Sequence, residues 1–155
     1  MIKQFEYFGT IDNAPYLCIL PALKFRDEVC EGEEKIMKYC TSLAAKAEKR
    51  LAEILGTETM EVADEKRCFF AHAKLPLTIG EEGDVKTKDV AQVTEFMNTE
   101  FVNTYQTYIY ILYYDGAWWA RLSITIYLDL EDCEYGGKVL KELCERVKRK
   151  EHLTN

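Results

Sequence analysis

The stretch TYIYILYYDGAWWARLSITIYLDL, Thr107 to Leu130, decides the fold. Aromatic and β-branched residues fill both halves, and Asp115-Gly116 between them is the two-residue signal of a type I′ turn. The pattern predicts a β-hairpin. Side chains alternate across a strand, so the second half sorts by parity. Trp118, Ala120, Leu122, Ile124, Ile126 and Leu128 form an apolar face suited to a core. Trp119, Arg121, Ser123, Thr125 and Tyr127 form an amphipathic face that meets solvent or looks into a site.

Outward from the hairpin, helical periodicity dominates. Ile36, Cys40, Leu43, Ala47, Leu51 and Ile54 recur at helical spacing, and Gly56 follows as a C-terminal stop. A helix over 89–103 turns Val93, Phe96, Met97 and Phe101 inward, and one over 131–150 does so with Val139, Leu140, Leu143 and Val147. KRCFFAHAKLPL, Lys66 to Leu77, reads as a strand ending near Pro76, and the polar run Thr78 to Asp89 as a connection. Near the start, Asp12 is placed to cap a helix reaching Val29, with Tyr16, Ile19, Leu20 and Leu23 on its apolar side. Pro21 either kinks that helix or opens a second one. This order predicts an α+β fold, a small mainly antiparallel sheet covered by helices. Residues 1–30 are expected to form an N-terminal segment and 31–155 the compact domain.

The chain has 155 residues, enough to bury a core, and a net charge of −7, which argues against general nucleic-acid binding. No apolar run is long enough to cross a membrane, and MIKQFEYF lacks a signal peptide's pattern, so a cytoplasmic setting is expected. The six cysteines contain no C-x-x-C pair and read as reduced, mostly buried thiols. His72 and His152 stand in no ligand-spaced cluster, so no metal site is expected.

Two features carry chemistry. Arg121, between Trp119 and Ser123 along its strand, offers the planar fork that clamps a carboxylate. The alternative is a solvent-facing arginine stacked on an aromatic neighbour. Gly9-Thr10, ahead of a helix start, offers backbone N–H groups and a hydroxyl to an anion. Asp12 competes at that helix end, and the alternative there is a capped turn.

Taken together, GTIDNAPYLCILPALKFRDEVCEGEEKIMKYCTSLA, EKRCFFAHAKLPL and WWARLSITIYLDLEDCEYGGKVLKELCERV resemble the C-terminal part of class V aminotransferase-like, pyridoxal-phosphate-dependent enzymes of fold type I. The resemblance points to the fungal branch of isopenicillin N epimerase and hercynylcysteine sulfoxide lyase relatives, frequent in secondary metabolism. It implies that Gly9 and Thr10 help bind the cofactor phosphate across a dimer interface, and that Arg121 holds the substrate's α-carboxylate. It further implies that residues 1–30 belong to the interface region. The family's Schiff-base lysine lies upstream of the Gly-Thr pair, whereas only eight residues precede Gly9 here, and Lys3 does not fit the lysine motif. No catalytic residue is therefore assigned to this chain.

Three functions follow as expectations. The chain is a truncated aminotransferase-like protein that acts on an amino acid only with a complementary half, its partner being either that pyridoxal-phosphate enzyme half or a second copy in a homodimer. Alternatively, it is a non-catalytic module that binds a related full-length enzyme. The third option is a small carboxylate-binding domain using Arg121.

Overall fold

The computed structural model describes residues 12–63 and 68–153. The chain divides into two compact units, one up to Lys38 and one from Tyr39 onward.

In the first unit, α1 (Ala14–Leu17) and α2 (Ile19–Glu28) are separate helices. The N-cap of α1 is Asn13 rather than the expected Asp12, and Asn13 makes no side-chain capping bond; the Asp12 carboxylate, one residue earlier, accepts the Ala14 N–H at 2.9 Å. The single helix to Val29 is not formed. Pro21 has no N–H to donate to Leu17, and its ring would clash with that carbonyl. The chain turns at Cys18 and restarts with Pro21 in the first turn of α2. Tyr16, Leu17, Ile19, Leu20 and Leu23 are all exposed. Arg26 forms a two-pronged ion pair with Glu33, through Nε at 2.9 Å and Nη2 at 2.6 Å.

Helix α3 (Glu33–Leu55) carries two acids in its first turn, matching the positive end of its dipole. Cys40, Leu43, Ala44, Ala47, Leu51 and Leu55 are buried along one side. The strands β1 (Phe70–Lys74), β2 (Tyr110–Tyr114) and β3 (Ala117–Ser123) form a sheet of order β1-β3-β2, antiparallel throughout. The α+β expectation holds. The hairpin turns at Asp115 (φ +48°) and Gly116 (φ +72°), and positive φ at both positions is what a type I′ turn requires. Helix α4 (Val90–Asn103) buries Val93, Phe96, Met97 and Phe101, as its periodicity predicts.

The parity of β3 holds through Ile124 and then fails. Trp118, Ala120, Leu122 and Ile124 are buried, whereas Ile126 is 38% exposed. The strand ends at Ser123, and Leu128 N–H closes a turn on the Thr125 carbonyl at 3.2 Å. That turn delivers Asp129 to cap α5 (Leu130–Lys148), where its carboxylate accepts the Glu131 and Asp132 N–H groups. Asp132 reciprocates by accepting the Asp129 N–H at 3.0 Å, completing a capping box. Helix α5 packs on both neighbours through paired glycines. A Cβ at Gly136 would stand 3.1 Å from Ile109 Cδ1, and one at Gly137 3.0 Å from Leu51 Cδ2.

All six thiols are free, but only Cys40, Cys133 and Cys144 are buried. Cys18 and Cys68 are exposed because both lie outside the packed faces, Cys18 at the break between α1 and α2 and Cys68 ahead of β1.

Candidate substrate-binding site

Arg121 occupies the middle strand, on the side of the sheet away from the buried alanines and Trp118. Its register partners are His72 on β1 and Tyr110 on β2. The guanidinium carbon lies 4.6 Å from the Phe70 ring centroid and 4.6 Å from that of Tyr110. Because β1 and β2 flank β3 on opposite sides, the rings approach the arginine from opposite sides. Cation–π contacts of this kind hold a guanidinium in place at a gain of about 0.5–2 kcal/mol each.

Both readings of Arg121 thus have a structural counterpart. It is stacked on aromatic neighbours, but from adjacent strands rather than from Trp119. It also keeps its hydrogen-bonding capacity. Arg26, Arg50, Arg146 and Arg149 each pair with a glutamate, whereas no carboxylate pairs with Arg121 among the described residues. Its Nε is buried without a hydrogen-bond partner among the described residues, as are Trp119 Nε1 and Thr125 Oγ1.

The arginine borders a groove of about 600 Å³ between the chain entering β2, the end of β3 and the start of α5. Tyr108, Tyr110, Tyr127 and Tyr135 line it, with Asp132 and Cys133 toward α5. Burial, reinforced by Asp132 and Asp129, pushes the Cys133 thiol up to about 11, so it stays protonated and un-nucleophilic at neutral pH. The His72 imidazole is held below its ordinary value, mainly by burial, with Glu48 opposing and Arg121 assisting. A neutral imidazole opposite Arg121 leaves the guanidinium as the positive charge at this point of the sheet.

No family model matches the chain. Curated relatives do. It is 33% identical to L-cysteine desulfhydrase-like protein lolT1 of Epichloe uncinata, over 95% of this chain and 36% of the relative. The lolT2 protein of the same organism matches to the same extent. Hercynylcysteine sulfoxide lyase of Schizosaccharomyces pombe is 26% identical over 86% of this chain and 30% of its own length. The resemblance holds. The chain is similar to the C-terminal part of class V aminotransferase-like enzymes, and it spans about a third of the length of these relatives.

Gly9 and Thr10, the residues assigned to the cofactor phosphate by resemblance, lie outside the described residues. Among the described residues, no group of three or more His, Cys, Asp or Glu is placed to hold a metal ion, and no helix is long and apolar enough to cross a membrane. Sequence reasoning picked out Arg121 but missed Phe70 and Tyr110. They lie 51 and 11 positions away by number, and strand register alone brings them to the guanidinium. The available signal was an aromatic on each flanking strand at the parity of His72 and Tyr110.

Proposed function

We propose that this chain forms the substrate-carboxylate-binding part of a pyridoxal-phosphate-dependent enzyme acting on an amino acid, with Arg121 as the carboxylate ligand. One observation carries this reading: a guanidinium held between two rings at the edge of a groove, with no acid of its own among the described residues. Such a donor gains charge-assisted hydrogen bonds when a carboxylate arrives, with no existing ion pair to break. The groove gives the rest of the substrate room, since sites of about 300–1,000 Å³ accommodate small ligands.

The relatives, a cysteine desulfhydrase-like protein and a sulfoxide lyase by name, favour a lyase-type reaction at a sulfur-bearing amino acid. Pyridoxal phosphate, when bound, supplies the electron sink that lets a bond near the substrate's α-carbon break. By resemblance, Gly9 and Thr10 would contribute N–H and hydroxyl donors to its phosphate. In this reading a lysine of the complementary part of the enzyme would bond the cofactor. Arg121 fixes the carboxylate and thereby the orientation of the bonds at the α-carbon. A role in secondary metabolism fits the fungal relatives.

Calorimetric titration of the chain with amino acids tests the assignment. Arg121→Gln is expected to abolish the heat of binding, and equal heats for both proteins would overturn it.

A second reading rests on a separate observation. Tyr16, Leu17 and Leu20 are 69%, 78% and 76% exposed, an apolar concentration of the kind that marks protein partners. In this reading the first unit binds the complementary enzyme part or a second copy. A monodisperse monomer in size-exclusion chromatography, with no co-purifying enzyme, counts against it.

A further inference from the structure

The surroundings of Arg121 restrict how an anion approaches it. The guanidinium carbon lies over both the Phe70 and the Tyr110 ring, 4.6 Å from each centroid, and the two rings come from strands on opposite sides of β3. The Phe70 ring is braced in turn, the His72 ring meeting it edge-on at 6.2 Å and 72°. His72 sits directly opposite Arg121 in the β1–β3 register. Of the donor nitrogens, Nε is buried and has no hydrogen-bond partner among the described residues. The donors left for a ligand are those on the two terminal nitrogens, and they lie in the guanidinium plane.

We propose that Phe70 and Tyr110 are positioning residues that make Arg121 a slot for planar anions, so that the site selects a carboxylate over a tetrahedral phosphonate. The inference rests on the reading of Arg121 as the carboxylate ligand and adds the geometry of the match. A carboxylate docks end-on, its two oxygens in the plane of the terminal N–H groups. A phosphonate places its third oxygen out of that plane, toward a ring face whose quadrupole is negative. The stack also removes rotamer freedom from the arginine before the ligand arrives, which lowers the ordering cost of binding.

The phosphonate carries at least as much negative charge as the carboxylate, so electrostatic attraction alone would favour it. The test is a chemical-shift titration of the 155-residue chain with L-alanine and with its phosphonate analogue, L-1-aminoethylphosphonate. Alanine is expected to bind roughly tenfold tighter, the worth of about one lost hydrogen bond. Phe70→Leu and Tyr110→Leu are expected to shrink that preference, while Phe70→Tyr and Tyr110→Phe retain it. Both positions are more than a third exposed, so these variants keep the core intact. Equal affinities in the native chain, or an undiminished preference in both leucine variants, overturns the slot and leaves the Arg121 assignment standing. If Arg121→Gln binds both ligands as the native chain does, the assignment and the slot fall together.

Discussion

His72 and Arg121 stand directly opposite each other where β1 pairs with β3. The His72 imidazole is held below its ordinary value, mainly by burial, with Glu48 opposing and the charge of Arg121 assisting. His152, 2% exposed, is also lowered, first by burial and then by Lys150, with Asp89 and the Val147 backbone opposing. A native pKa below the ordinary 6.5 means that the unfolded chain takes up the proton first as pH falls. Stability from these residues is therefore undiminished above 6.5 and declines between that value and the lower native ones. Scanning calorimetry from about pH 7.5 to about pH 5.5 is expected to show a falling Tm. The double variant His72→Gln/His152→Gln is expected to flatten that profile. An equal fall in the variant would remove the histidines as its cause.

Helix α5 meets α3 through a contact that leaves little room for a larger residue. A Cβ at Gly137 would lie 3.0 Å from Leu51 Cδ2 and 3.1 Å from Ile54 Cδ1, and Leu51 is fully buried. Gly137→Val adds a branched side chain to this space. The expected cost is about 1–3 kcal/mol from overpacking, outweighing the roughly 0.5–1 kcal/mol that glycine forfeits in a helix interior. The neighbouring Lys138→Ala, on the exposed side, is expected to stay within about 0.5 kcal/mol of the parent. Urea denaturation of both variants checks the contrast.

Much of this architecture could be read from the chain because it is set by local pattern. Val93, Phe96, Met97 and Phe101 repeat at helical spacing, and all four are buried. Asp115-Gly116 announces its turn because few residues accept positive φ in sequence. What escaped depends on distant partners. The alternation from Trp118 to Leu128 gives no hint that the strand stops at Ser123, since the turn serves the capping of α5 by Asp129. The Phe70–Arg121–Tyr110 stack follows from register across three strands, which no single segment encodes. Pro21 signalled a break in the first helix, but where the chain restarts depended on Cys18 adopting the turn.

Arg146 ties α5 to α4 and to the C-terminal turn. Its Nη1 donates to Glu100 and its Nε to Glu151, each at 2.7 Å, with the guanidinium 5.1 Å from the Phe96 ring centroid. The Arg146 and Glu100 side chains are only 18% and 16% exposed, so removing the arginine leaves the largely buried Glu100 carboxylate with the Thr104 hydroxyl, 2.6 Å away, and no opposite charge to offset it. Arg146→Ala is expected to cost about 2–3 kcal/mol, well beyond a surface pair, and Arg149→Ala less than about 1 kcal/mol. The arginine holds the Glu100 carboxyl below its ordinary 4.5. That contribution is complete above 4.5 and is lost as pH falls through the native value. Acid unfolding should thus begin at higher pH in Arg146→Ala, as followed by circular dichroism, and an unchanged acid midpoint would refute this.

The apolar residues of α1 and α2 separate stability from association. Leu17 and Leu20 are 78% and 76% exposed, so neither contributes appreciably to a core in this chain. A double change to Leu17→Lys/Leu20→Lys removes apolar surface from water without opening a cavity, and its folding free energy is expected to shift by less than about 0.5 kcal/mol. Association should respond differently. If this segment binds a second copy or the complementary enzyme part, placing cations within the contact removes apolar burial and adds a desolvation cost. Sedimentation velocity is expected to show the parent self-associating, or joining its complementary half, and the variant failing to do so. Loss of thermal stability in step with loss of association would point instead to a segment packed into the fold. Unchanged sedimentation would show that these side chains take no part in assembly.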